Sequence, residues 1–140
     1  MKKYENIDFK PPKSVALEAE KGLKYRDMAG GKGGLSVSQA KKEGIGSGVQ
    51  RAVNLKNQDT LSPGTVKRMK AFFSRHQKNK GIAPEFKKTP WKDRGYVAWL
   101  LWGGDSGRSW AEKIVHQMEM ADEKSAKRVA SSYLNQSVLY

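Results

Sequence analysis

The sequence predicts an all-α fold, a compact bundle of about five to six short helices with a longer C-terminal helix. Apolar residues recur at three-to-four spacing in successive segments, and Gly, Pro and Ser punctuate those segments where helices start and stop. The one continuous apolar run, YVAWLLW from Tyr96 to Trp102, has no second strand candidate to pair with, so it reads as a buried helix. With 140 residues and no Cys, the chain must close its core by packing alone. A hydrophobic fraction of 37% is modest, but four Trp, four Phe and five Tyr supply much buried area per residue.

Residues 1–12 read as an extended arm ending at Pro11 and Pro12, and residues 13–135 as a single helical domain with a tail at 136–140. KSVALEAEKGLKYRDMA carries Val15, Ala19, Leu23 and Arg26 on one stripe, interrupted by Gly22, which costs about 1 kcal/mol relative to Ala in a helix interior. GGKGG, Gly30 to Gly34, is a turn or linker whose N–H groups could approach an anion, although its spacing fits no phosphate-loop template. Ser36 and Gln39 have the form of a capping box opening a short helix that Gly44 stops. GVQRAVNLKNQ then forms another, burying Val49, Val53 and Ala52.

The best-formed helix begins with Ser62 as cap and Pro63 at the first helical position. Val66, Met69, Phe72, Phe73 and His76 make its inner stripe, while Lys67, Arg68, Lys70, Ser74, Arg75 and Lys78 fall on the rest of its surface. It ends near Lys80 and Gly81. Residues Gly81 to Gly95 read as a Pro- and Lys-rich loop with too few apolar side chains to pack by itself. Gly103 and Gly104 stop the YVAWLLW helix, Asp105 or Ser106 caps the next, and Trp110, Ile114, Met118 and Ala121 form the inner stripe of that last helix.

Charge narrows the function classes. The chain carries 27 Lys and Arg against 14 Asp and Glu, a net +13, and residues 1–104 hold 22 basic and 9 acidic side chains. The remaining residues hold five of each, so the excess lies before the last helix. From Lys67 to Arg94 there are ten basic residues and two acidic ones. Solvated charge runs usually mix signs, and so biased a run points to phosphate contact. The candidate contacts are Lys67, Arg68, Lys70, Arg75, Lys78, Lys87, Lys88, Lys92 and Arg94, with Trp91 as the one loop aromatic placed to stack on a base. Trp99, Trp102 and Trp110 are expected to anchor the core instead.

A helix-turn-helix reading of Gln50 to Lys78 would use Thr65, Lys67, Arg68 and Lys70 at the start of a recognition helix. Two short helices around a turn also describe an ordinary core helix with a solvated basic face. WGGDSGRSWA, Trp102 to Ala111, could offer N–H groups to a phosphate with help from Arg108, but Asp105 puts a carboxylate in that place and reads as a cap. The absence of Cys excludes disulfides, thiolate zinc sites and a cysteine nucleophile, and two His make a zinc site unexpected. His76 and His116 read as packed or surface imidazoles, and Glu119, Asp122 and Glu123 as a solvated helix face, so neither an enzyme activity nor a metal or cofactor is expected. The start MKKYENIDFKPP lacks the apolar region of a signal peptide, and no run is long enough to span a bilayer.

The series PPKSVALEAEKGLKYR, LSPGTVKRMKAFFSRH and GYVAWLLWGGDSGRSWA resembles a small uncharacterised domain of tailed-bacteriophage proteins, standing alone or appended to other phage proteins. Some proteins carrying it are described as head-maturation proteases or DNA-binding proteins. The resemblance covers about Phe9 to Ala111 and leaves the rest of the last helix outside it. It implies a phage protein located in the host cytoplasm or the virion, and it carries over no catalytic residue. Together with the charge it leads to a sequence-tolerant DNA-binding protein, for duplex or single strands. The alternative is a virion structural or assembly protein whose basic face meets packaged DNA or an acidic capsid protein. A factor binding an acidic host protein has the least support.

Overall fold

The computed structural model describes residues 3–30 and 48–138, the last six of these by backbone alone. The fold is all-α, and there is no strand among the described residues. Helices α1 (Lys13–Met28), α2 (Gly48–Lys56), α3 (Pro63–Arg75), α4 (Arg94–Leu101) and α5 (Gly104–Val138) follow in order, with 3-10 turns at Gln77–Asn79, Pro84–Phe86 and Pro90–Lys92 between α3 and α4. The capping-box helix expected from Ser36 and most of GGKGG lie outside the described residues. None of the described helices is long and apolar enough to cross a membrane.

Helix α4 has almost no polar side chain to offer solvent, so its neighbours enclose it: Val97, Ala98, Trp99, Leu100, Leu101 and then Trp102 are buried. Helix α1 packs on α2, α4 and α5, and α3 packs on α5. Gly22 explains the closeness of α1 to α4. A Cβ there would lie 2.8 Å from the Leu101 backbone N and 3.0 Å from the Leu100 carbonyl carbon, so only glycine lets the two backbones meet. Its helix-propensity penalty is the condition of a close crossing. Tyr25 and Tyr96 continue the same interface, with ring centroids 6.5 Å apart.

The passage from α4 to α5 differs from the capped start expected at Asp105 or Ser106. Gly103 (φ 113°) and Gly104 (φ 63°) take backbone conformations that a side chain would disfavour, so the chain turns with no intervening loop and α5 begins at Gly104. Asp105 therefore falls inside the first turn, where its Oδ1 accepts the indole N–H of buried Trp99 at 2.9 Å. It completes the hydrogen bonding of a core tryptophan, which would otherwise be left with a costly unsatisfied donor.

Helix α3 follows its sequence reading at its start and along its inner stripe. It ends at Arg75 rather than near Lys80 and Gly81, and Lys78 falls in the 3-10 turn beyond it, where the backbone tightens after His76. The Ser62 Oγ accepts the Thr65 N–H at 3.1 Å, Pro63 occupies the first turn, and Val66, Met69, Phe72, Phe73 and His76 are all buried. Phe72 stacks on Trp102 with centroids 4.8 Å apart and planes 10° from parallel, His76 stacks on Phe72 at 4.7 Å, and Phe73 meets Trp99 edge-on at 4.8 Å. Trp110, Ile114 and Met118 extend this core along α5, as their spacing requires. In α2 the expectation fails at Val53, which is 39% exposed, while Ala52 and Leu55 are buried. The inward face of that helix turns on Ala52 and Leu55, three residues apart, and Val53 lies off it.

The segment read as an N-terminal arm is folded onto the bundle. Tyr4, Ile7 and Phe9 pack against the core, and Phe9 O accepts the Leu61 N–H at 3.0 Å. The Tyr4 hydroxyl donates to Asp122 Oδ1 at 2.6 Å, and Lys3 Nζ lies 3.0 Å from the same oxygen. Those two partners, Tyr4 first, hold the Asp122 carboxyl below its usual range, and the same hydrogen bond raises Tyr4.

Gly22→Ala should lower stability by about 1–3 kcal/mol through overpacking, the reverse of the roughly 1 kcal/mol gain that helix propensity alone would give. Gly81→Ala, where nothing lies within 4 Å, should stay within about 0.5 kcal/mol of wild type. Urea unfolding of both variants decides the sign. The Asp122 contribution should be fully present above its unfolded value of about 3.9 and fade as pH falls through the lowered folded value. That of Tyr4 should be present below about pH 10 and fade as pH rises through the raised one. The stability gap between wild type and Asp122→Asn should therefore be flat near neutrality and shrink at both extremes.

Candidate functional site

The periodicity that buries Thr65, Val66, Met69, Phe72 and Phe73 leaves Lys67, Arg68, Lys70 and Arg75 on the outer side of α3, and all four are exposed. The two flanks of this face meet different surroundings. On one, Lys70 Nζ lies 3.8 Å from Glu119 Oε1 of α5, and the Lys67 charge helps to depress the Asp122 carboxyl. The acids of the C-terminal helix thus border the cationic face and draw Lys67 and Lys70 toward themselves. On the other flank the Arg68 charge acts on Arg51 of α2, and no carboxylate pairs with either guanidinium among the described residues.

Thr65 does not belong to this surface. It is only 7% exposed, its Oγ1 lies 2.8 Å from Ser62 Oγ, and its place in the first turn is on the inner side of the helix. The helix-turn-helix expectation weakens further because α2 packs mainly on α1 and α3 mainly on α5. They are not the tightly paired helices of that motif.

The segment from Gln77 to Asp93, read as a loop unable to pack by itself, is held by polar latches. Asp93 uses both carboxylate oxygens: Oδ1 accepts the Tyr96 N–H at 3.0 Å and caps α4, and Oδ2 accepts the Ala83 N–H at 2.8 Å. The Asn79 side chain occupies the space beside Gly95 where a Cβ would otherwise stand, seating the first 3-10 turn on the start of α4. One of the two acids in the basic run is therefore structural. The segment keeps Lys78, Lys80, Lys87, Lys88, Lys92 and Arg94 exposed, and none of the six forms an ion pair with a described residue. Trp91 is half-buried in the third 3-10 turn, which packs on α1 and α4, so only part of the ring faces outward.

Arg51 was not among the residues singled out from the sequence. Its guanidinium lies over the Trp102 ring, 5.7 Å from the centroid, at the edge of the stack that runs through Phe72 to His76. Burial first, and the Arg68 charge second, hold it below the usual arginine value. Its helix carries only a scattered charge pattern, and nothing local to α2 signals that tertiary packing brings it over Trp102.

Away from this surface, a groove of about 550 Å³ runs between the N-terminal segment and α5, lined among others by Lys3, Ile7, His116, Met120, Lys124 and Arg128. No group of three or more His, Asp or Glu converges to hold a metal among the described residues. No protein-family model, curated protein or solved structure matches the chain.

Asp93→Ala should remove the α4 cap and the Ala83 latch together, at a cost of about 1–2 kcal/mol. Hydrogen exchange should accelerate first at the Ala83 and Tyr96 amides. A variant with wild-type exchange at both would show that the segment is held in some other way.

Proposed function

We propose that this chain is a phage-encoded basic DNA-binding protein that contacts mainly phosphates and tolerates sequence. The observation that carries this reading is the acid-poor arc of exposed cations from Arg68 through Lys78, Lys80, Lys87, Lys88 and Lys92 to Arg94, held on a latched scaffold. Exposed cations without carboxylate partners among the described residues are available to release counterions from a polyanion, which is the main source of non-specific affinity for DNA. Lys67 and Lys70 extend the arc toward α5, where Asp122 and Glu119 compete for them. Arg75 lies on the same outer face of α3. The partly open ring of Trp91 supports a stacking contact with an unpaired base, which would favour single strands over duplex. The phage origin rests on the resemblance of the three sequence segments set out above.

Fluorescence anisotropy with labelled duplex and single-stranded oligonucleotides, repeated across a salt series, tests the proposal. Neutralisation of about five phosphates predicts a log–log salt slope near −4 to −5 on duplex. Each of Lys87→Ala, Lys88→Ala and Lys92→Ala should make that slope shallower by about 1, whereas Lys127→Ala on α5 should leave it unchanged. Affinity independent of salt would remove the basis of this reading.

A further inference from the structure

In sequence the last helix is neutral, with five basic side chains against five acidic over residues 105–140, yet the fold sorts those charges by face. Glu119 turns toward Lys70 of α3, 3.8 Å away, and Asp122 is taken up by the Tyr4 hydroxyl and Lys3. Residues 116, 120, 124 and 128 follow one another at four-residue spacing and form one wall of the groove of about 550 Å³. That stripe reads His116, Met120, Lys124, Arg128 and is exposed along its length. The opposite wall is the N-terminal segment, fixed by the Tyr4–Asp122 hydrogen bond of 2.6 Å and by a turn in which the Ile7 N–H donates to the Tyr4 carbonyl at 3.0 Å.

The groove joins an apolar floor to a cationic rim. Ile7, Met120 and Ala121 supply the floor, and Met120 remains 54% exposed there. Lys3, Lys124 and Arg128 stand around it, and Glu5 is the one acid of the lining among the described residues. Lys3 shares its charge with Asp122, so Lys124 and Arg128 dominate the rim, while the neighbouring Glu123 is directed to Lys127, 3.1 Å away. From His116 to Arg128 the groove follows α5 for about 18 Å, room for roughly three turns of a second helix.

We propose that this groove docks an acidic amphipathic helix of a partner protein, whose apolar stripe covers Ile7, Met120 and Ala121 and whose carboxylates meet Lys124 and Arg128. Unbranched methionine adapts its shape to the apolar side chains of an incoming helix. A duplex brings phosphates but no aliphatic side chains for Met120, so floor and rim are satisfied together by a helix that carries both. The site lies away from the cationic face of α3 and does not rest on the DNA-binding reading.

The probe is a stapled helical peptide of about fifteen residues, with leucines at i, i+4, i+7 and i+11 and glutamates flanking them, compared with a scrambled peptide of the same composition. Binding to the full chain is followed by fluorescence anisotropy and backbone amide shifts for wild type, Met120→Ser, Lys124→Glu and Arg128→Glu. Lys56→Glu, at an exposed position of α2, makes the same charge change outside the groove. Docking predicts saturable binding of the amphipathic peptide with shifts confined to residues 3–7 and 116–128. Each groove variant should weaken it about tenfold, and Lys56→Glu should leave it unchanged. Met120, Lys124 and Arg128 are exposed, so these replacements leave the core intact. Equal affinity for the two peptides, shifts centred on residues 67–94, or no binding at all would overturn the docking site. Shifts at 116–128 on dilution of the protein alone, or on addition of duplex, would give the groove to a second copy or to nucleic acid and overturn it likewise.

Discussion

The stacking of Phe72 on Trp102 and of Phe73 against Trp99 couples α3 to the most deeply buried helix of the bundle. Helix α4 must be surrounded, and each neighbour meets it by a different device. Gly22 lets α1 approach to backbone contact, the Gly103–Gly104 turn leads directly into α5, and two adjacent phenylalanines fix the rotation of α3. Truncating an aromatic residue in such a core costs about 3–5 kcal/mol. The rotation of α3 is therefore set by the core.

From that rotation the charge distribution follows. With Val66, Met69, Phe72 and Phe73 inward, the cations between them in sequence have only the outer side available. The same packing gives this face two unlike borders, the acids of α5 on one side and Arg51 on the other. The Gln77–Asp93 segment is held because Asp93 ties its middle, at Ala83, to the start of α4, and Asn79 seats its first turn against Gly95. A run of lysines that would otherwise sample many positions is held in one, which reduces the ordering entropy of binding.

Much of this was legible in the sequence because it depends on local periodicity. The Ser62–Pro63 start, the inner stripe of α3, the placement of Trp99, Trp102 and Trp110 in the core and the helical state of YVAWLLW all follow from spacing and side-chain size. What was not legible depends on partners distant in sequence. Gly22 read as a defect because its use lies in the backbone of Leu100 and Leu101, and Asp105 read as a cap because its bond to the Trp99 indole crosses the turn between two helices. Tyr4 and Phe9 read as an extended arm because Asp122 and Leu61, which hold them, come more than fifty residues later. For the candidate site, the outer face of α3 and the lysines after it could be found from charge alone. Arg51 could not, since its place over Trp102 exists only once α2 is packed against the bundle.

The central claim is that core packing of α3 and α4 presents one phosphate-binding face, formed by the outer side of α3, the segment through Arg94 and the edge of α2 at Arg51. The most direct test is a map of backbone amide shifts on addition of a short DNA duplex at moderate salt. The account predicts perturbations concentrated in residues 67–94 and around Arg51, with the α5 groove at His116, Lys124 and Arg128 unaffected. Perturbations centred on that groove, or none at saturating duplex, would contradict it.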